Sequence, residues 1–242
     1  MSKTRTTTQY KSDLLKAILP HVVFDGWSHQ SFEAAVIETE IEPALANAIC
    51  PRGAVDLAVA FHRDGDAAMV KRLKSEDLSA VRFRDRIASG VKFRLQAAEA
   101  EKEAVRRGTT LFALPHHAAE GAKLIWGTAD AIWTTLGDTS DDFNWYSKRA
   151  TLSGVYGSTV LFWLGDDSPD HADTWDFLDR RIDDVMQIEK VKKQVNDNPV
   201  LSRIMAGPSW ILSQVKAPTS MRPTDFPGHW TETDPSTSES PS

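Results

Sequence analysis

Apolar residues recur at helical spacing along nearly the whole chain, and no stretch of alternating β-branched residues bounded by turns interrupts them. The pattern predicts an all-α fold. From Lys11 to Phe24, the positions Leu14, Leu15, Ile18 and Val22 make one helix face that Asp25-Gly26 ends, with Gly26 suited to the left-handed position just beyond a helix. Ser31-Phe32-Glu33 opens a short second helix. Glu42-Pro43 starts a third with proline in its first turn, and Pro51 starts a fourth that runs to about His62. Longer helices follow near 77–107, 117–136, 142–164 and 170–195, and a helical pair near 200–216 is broken at Gly207-Pro208. From Ala217 onward five prolines and many serines and threonines leave few apolar anchors, so a disordered tail is expected. The chain thus divides into a head over 9–62, a larger helical bundle over 63–196, an amphipathic terminal helix over 197–216 and a tail over 217–242.

Composition narrows the classes open to such a fold. With 242 residues and 41% apolar content, the chain can bury a sizeable core. A net charge of −6 and a pI near 5.6 disfavour wrapping a phosphate backbone. The single cysteine, Cys50, excludes an intrachain disulfide and a multi-thiolate metal cluster, and it reads as a small core residue. Met1 to Tyr10 lack the apolar run of a secretion signal, and Val160 to Leu164, a purely apolar run that none in the chain exceeds in length, is too short to span a bilayer. The expected location is the cytoplasm, with peripheral association at the inner (cytoplasmic) membrane.

Catalytic patterns are missing. A carboxylate-bridged metal pair needs Glu-x-x-His on facing helices, and no histidine here has an acid three residues before it. His116-His117 has no acidic or thiol partner at ligand spacing and reads as a polar helix start after Pro115. Nucleophile elbow, Walker loop and dinucleotide fingerprint are all absent. No enzyme activity, metal or cofactor is therefore expected.

Three features invite a binding role. In the long helix, Phe83, Ile87, Val91 and Leu95 form a stripe, with Arg82, Arg84, Arg86, Lys92 and Arg94 on other faces; these cations form either a solvated rim or a surface for lipid phosphates. The acidic run Asp138 to Asp142 sits where a helix N-terminus favours negative charge, with Thr139 or Ser140 available as cap. Beyond it, the neighbours Trp145 and Tyr146 cannot both point at one core face, and Trp145, Arg149, Leu152 and Tyr156 share a face on which Arg149 is the sole charge. Such an arginine wants an anionic partner, either an internal carboxylate such as Asp130 or Asp176, or a phosphate head group.

The stretch Gly137-Asp-Thr-Ser-Asp-Asp-Phe-Asn-Trp-Tyr-Ser-Lys-Arg-Ala-Thr-Leu152, with Trp126-Gly-Thr-Ala-Asp-Ala-Ile-Trp133 before it and Thr174-Trp-Asp-Phe-Leu-Asp-Arg-Arg181 after it, resembles the coenzyme Q (ubiquinone) biosynthesis protein Nine family. That resemblance implies an accessory, non-catalytic lipid-binding protein, a homodimer, whose pocket holds an isoprenoid quinone intermediate or a phospholipid. It implies a lipid site at Arg149, Leu152 and Tyr156, with Arg149 at the head group. A partner site for the demethoxyubiquinone hydroxylase would include Asp142, Trp145 and Tyr146. The family's terminal helix meets a membrane surface, which here implies contacts through Trp210, Ile211 and Val215; the other reading of that segment is a helix docked back on the bundle. Gly154 and Gly157 depart from the alanine or serine expected at their positions.

The first helix, the Gly-aromatic turn and the two short helices after it resemble the DNA-binding head of TetR-type regulators, which makes a ligand-responsive transcription regulator the alternative. Yet Gln30 to Cys50, where the reading helices lie, carries Glu33, Glu38, Glu40 and Glu42 and no Lys or Arg. Such a surface repels a duplex, so the head is expected to be a degenerate helix-turn-helix that binds no nucleic acid. A third reading is an interaction scaffold with a solid core.

Overall fold

The structure, a computed structural model, describes residues 5–141 and 143–197, with side chains as far as Val185. The described residues form α-helices joined by short turns, with no strand among them. The expected terminal helix and tail, including Trp210, Ile211 and Val215, lie outside these residues, as does Asp142.

α1 (Thr7–Asp25) starts at a capping box in which Thr6 and Gln9 satisfy each other's backbone donors, as an exposed helix start requires. It ends at Gly26, whose φ of 67° and ψ of −170° fall in a region open to glycine but not to side chains. This differs from the expected left-handed cap only in ψ, and it sends the chain back sharply into Trp27. α2 (His29–Glu38) is capped by Ser28 and α3 (Pro43–Ile49) by the Glu42 carboxylate with proline in its first turn. The buried faces of these helices enclose Leu14, Ile18, Phe32, Ala46 and Cys50 in one core, where burial raises the Cys50 thiol pKa.

α4 (Ala54–Ser75) does not stop at His62 as expected but runs a further thirteen residues to Ser75. Its first half closes the head core, and Met69 and Leu73 in its second half enter the bundle core. One continuous helix therefore crosses the expected boundary between head and bundle. The expected helix over 77–107 is broken: α5 (Phe83–Gln96) ends at Ala97, a short 3-10 turn follows, and α6 (Lys102–Ala113) leaves in a new direction. Residues 97–104 are strong helix formers, so propensity alone would carry the helix through. Packing overrides it: α5 lies on α4, α7 and α9, whereas α6 packs on α1 and α7, and Trp27 donates its indole N–H to the Ala104 carbonyl at 3.0 Å.

α7 (Ala118–Thr135), α8 (Phe143–Leu164) and α9 (Ala172–Asp197) complete the bundle. Its core holds Ile87, Val91, Leu95, Ile132, Leu152, Val155, Trp163 and Leu178. Two glycines permit close helix approach: a Cβ on Gly121 would lie 2.7 Å from Phe112, and one on Gly90 would lie 2.9 Å from Ile132.

Candidate functional site

The cations of α5 are answered from within the protein. Arg84 pairs with Asp85 and Asp183, Arg82 with Asp85, and Arg86 donates to the carbonyls of Ser79 and Val81. The Lys92 ammonium lies 4.8 Å from the centre of the Trp175 ring. Arg94, expected on a polar face, is buried; its Nε donates to Asp66 Oδ1 at 2.7 Å and its Nη2 to the His62 carbonyl at 3.0 Å. Gly65 makes the room, because a Cβ there would lie 2.6 Å from the Arg94 guanidinium.

The same internal pairing governs the signature stretch. Arg149 is 2% exposed and pairs through Nε with Asp130 and through Nη1 with Asp138 (2.9 Å), while its guanidinium stacks 4.0 Å over the Trp145 ring. Of the anions considered for Arg149, the internal carboxylate Asp130 is the one in contact, joined by Asp138; Asp176 lies exposed on α9. Lys148 donates to Asp138 Oδ1 at 2.8 Å and to the Ser140 hydroxyl at 2.6 Å. Burial alone would raise the Asp138 pKa, but hydrogen bonds from Lys148, Arg149 and Ser140 outweigh it and bring the carboxyl to about 2. Asp138 and Ser140 thus belong to a lock between the α7–α8 turn and α8. Trp133 closes it from the α7 side by donating its indole N–H to the Lys148 carbonyl.

Trp145 and Tyr146 are both half-buried. Their rings stand edge to face at 4.8 Å, and Trp126 of α7 packs against both, at 5.9 and 6.4 Å between centres. The three rings form an aromatic cluster at the first turn of α8. Leu152 lies beside this region in the bundle core.

Tyr156 belongs to a different place. Between the two cores lies a cavity of about 440 Å³, walled by α4, α6, α7, α8 and the Trp27 turn. Ala58, Phe61, Ala104, Leu124 and Val160 make its deep wall; Ala113, Ala118, Ala122 and Leu161, all exposed, mark its rim. Gly157 opens onto it, since a Cβ there would meet only Ile125, at 3.9 Å. Gly154, the other expected departure, faces open space. Of the three residues expected at a lipid site, Tyr156 lines the cavity, Leu152 packs in the core, and Arg149 stands in the ion-pair lock.

The cavity has one polar end, formed by Tyr156, His62 and Arg94. The Thr128 hydroxyl donates to Asp66 Oδ1 at 2.8 Å, which leaves its oxygen to accept from His62 Nε2 at 2.9 Å. Burial, reinforced by the nearby Arg94 charge, lowers the His62 pKa to about 4, so the imidazole is neutral at pH 7. Burial also raises the Tyr156 phenol pKa and keeps it protonated. Sequence reasoning did not single out Trp27, His62, Asp66 or Thr128, although His62 and Asp66 at i and i+4 among Ala58, Phe61 and Met69 are a polar pair on an apolar face.

No group of histidine, cysteine and acidic side chains able to hold a metal occurs among the described residues, and no single described helix is long and apolar enough to cross a membrane.

Comparison with known proteins places these features. Residues 118–189, which carry the ion-pair lock, the aromatic cluster and one wall of the cavity, match the COQ9 family model. The chain is 28% identical over 195 residues to a probable ubiquinone biosynthesis protein coq9 of Dictyostelium discoideum, covering 78% of this chain and 64% of that protein. It is 29% identical over 194 residues to the human mitochondrial ubiquinone biosynthesis protein COQ9, covering 77% and 61%. The bovine COQ9 protein is 43% identical over 89 residues, 37% of this chain and 28% of that protein. The chain thus spans less than two thirds of the length of these relatives. In fold it resembles a TetR transcriptional regulator from Nitrosomonas europaea, with a TM-score of 0.60 at 16% identity, covering 72% of this chain and 95% of that one.

Proposed function

We propose that this protein is a non-catalytic lipid-binding accessory protein of ubiquinone biosynthesis, which holds an isoprenoid quinone intermediate in the α4–α6–α7–α8 cavity and presents it to the demethoxyubiquinone hydroxylase at a membrane surface. The observation that carries this reading is the apolar cavity. Its volume of about 440 Å³ falls within the range of small-molecule sites, and it stands against a scaffold with a solid core. A long polyprenyl chain exceeds that volume, so only its first part is enclosed and the rest leaves past Leu161 at the rim. Each methylene taken out of water stabilises the complex by roughly 0.8 kcal/mol, so partial enclosure lowers the barrier to withdrawing such a lipid from a bilayer.

The role needs no bond change. The Trp126–Trp145–Tyr146 cluster, half-buried and mutually packed, has the character of an aromatic interface anchor and is the surface assigned to the hydroxylase. Trp145→Ala with Tyr146→Ala should abolish hydroxylase capture while leaving lipid content unchanged; retained capture would remove that interface. A homodimer and peripheral membrane association complete the reading.

The likeness to a TetR regulator raises operator binding as the second reading. Glu33 and Glu38, with side chains 62% and 57% exposed, make the corresponding helices repulsive to phosphate. A duplex titration over a salt series decides it, because phosphate contacts give a steep salt slope.

The primary test is mass spectrometry of organic extracts from detergent-free protein, with Gly157→Phe as the cavity-filling control. A stoichiometric prenyl quinone precursor in the wild type, depleted in the variant, is expected. A clean extract from folded wild type would overturn the reading.

A further inference from the structure

The cavity is not uniformly greasy, and its polar end shows what kind of head it accepts. Two of the polar side chains on its wall are already engaged elsewhere: Trp27 donates to the Ala104 carbonyl and Thr109 to the Arg106 carbonyl. His62, Arg94 and Tyr156 stand together at the inner end where α4, α5, α7 and α8 meet, and each has hydrogen-bonding capacity beyond its internal bonds. The guanidinium carries more N–H donors than Asp66 and the His62 carbonyl take up, the imidazole has a second ring nitrogen beside the Nε2 on Thr128, and the phenol, also bonded to Thr128, both donates and accepts. The imidazole and phenol rings stand edge to face, 6.5 Å apart. Behind them, Asp66 binds both Arg94 and the Thr128 hydroxyl that orients His62.

The charges at this end cancel. Arg94 is matched by Asp66 at 2.7 Å, and His62 and Tyr156 are uncharged. The other buried cation near the bundle core, Arg149, is likewise answered by Asp130 and Asp138. A phosphate or carboxylate head would need an uncompensated cation to offset its desolvation, and neither place supplies one. A neutral head bearing hydroxyl or carbonyl oxygens needs only hydrogen-bonding partners and an edge to pack on. Phenol, imidazole and guanidinium groups supply these. Gly65, a residue that a helix interior disfavours relative to alanine, admits the Arg94 guanidinium to this position.

We infer that the inner end of the cavity, formed by His62, Tyr156 and the Arg94–Asp66 pair, is a recognition site for the oxygen-bearing ring of a neutral amphiphile, which enters ring first and leaves its tail toward the Leu161 rim. This rests on the reading of the cavity as a lipid site and adds to it the ligand's chemical class and direction. It also orders the hand-over: in the holding state the ring is sheltered, and it reaches a partner only as the ligand slides outward behind its tail.

The test is calorimetric titration of the full chain, stripped of lipid, with three probes: a short-tailed prenyl benzoquinone, a prenylbenzene with the same tail and no oxygens, and a short-chain lysophosphatidylglycerol. In the wild type the quinone should bind at least about tenfold more tightly than the prenylbenzene, because a polar site rejects an analogue that leaves its groups unpaired. The lysophospholipid should bind less tightly than the quinone. Tyr156→Phe, which keeps the ring and its packing, and His62→Leu should each reduce the quinone preference several-fold while prenylbenzene affinity is kept. If His62→Leu fails to fold, Tyr156→Phe decides. Equal binding of the two ring compounds, a preference unchanged in folded variants, or tighter binding of the lysophospholipid would each overturn the inference and leave the lipid pocket standing. Binding of none of the three would overturn the lipid reading as well.

Discussion

At the residue scale, the signature stretch joins a lock and a surface. Arg149 is buried between two carboxylates, so truncating it removes one of the two cations that hold the buried Asp138, the other being Lys148. Arg149→Ala should destabilise the fold by roughly 2–3 kcal/mol, because Lys148 still answers Asp138 and Asp130 is part-exposed, read from the denaturation midpoint at constant slope; a loss below about 1 kcal/mol would mean that the pair contributes little. The Asp138 carboxyl, held at about 2 against an unfolded value near 3.9, contributes stability that is complete above pH 4 and is lost as pH falls toward 2. His62 acts in a higher window. Its folded pKa of about 4 lies below the unfolded value near 6.5, so the unfolded chain takes up the proton first and stability falls as pH drops from about 6.5 to 4. The charged and titratable groups facing it are Arg94, Arg63, Asp66 and the Tyr156 phenol. The folding free energy of His62→Gln should be flatter across that window by roughly 2 kcal/mol, measured by denaturant titration at several pH values. Arg149 as a charge on an apolar face, with Asp130 as a possible partner, was legible in the sequence. Asp138 as the second partner was not, because a turn had to bring it back onto α8.

At the element scale, local signals set helix ends where caps and prolines exist. Glu42-Pro43 and Asp25-Gly26 follow their sequence cues closely, whereas α8 begins at Phe143, beyond the expected caps Thr139 and Ser140, and the Ser140 hydroxyl binds Asp138 and Lys148 instead. Local signals fail where packing alone decides. Nothing in Gln96 to Lys102 stops a helix, yet the chain turns there so that α6 can reach Trp27 and α1. The glycines of α8 separate the same two influences. Gly154 faces open space, so Gly154→Ala should raise stability by roughly 0.5–1 kcal/mol through helix propensity alone. Gly157→Ala should give a similar gain in melting temperature while reducing the quantity of co-purified lipid, since its methyl group narrows the cavity. If both variants behave alike in lipid content, Gly157 is not part of the ligand wall.

At the scale of the whole molecule, α4 makes head and bundle one body, and the cavity lies on the seam between their cores. A ligand there bridges both and should stabilise them together: a saturating prenyl quinone at about 100 times its dissociation constant adds roughly 2.7 kcal/mol to unfolding. Thermal unfolding should shift upward as a single transition; a shift confined to one of two transitions would place the ligand elsewhere.

The chain by itself determined the all-α class, the register of most helices, the acidic head and the signature stretch, because those depend on periodicity, capping and charge that neighbouring residues carry. Only the tertiary structure decided that Arg94 is buried, that His62, Asp66 and Thr128 meet across sixty residues of sequence, and that Tyr156 faces a cavity while Leu152, on the same helix face, faces the core. The reason is physical: a helix face is set by local geometry, but whether it meets a packed wall or an empty one depends on how distant helices approach. That approach is fixed by contacts such as Trp27 on Ala104 and Arg94 against Gly65, which no local pattern encodes.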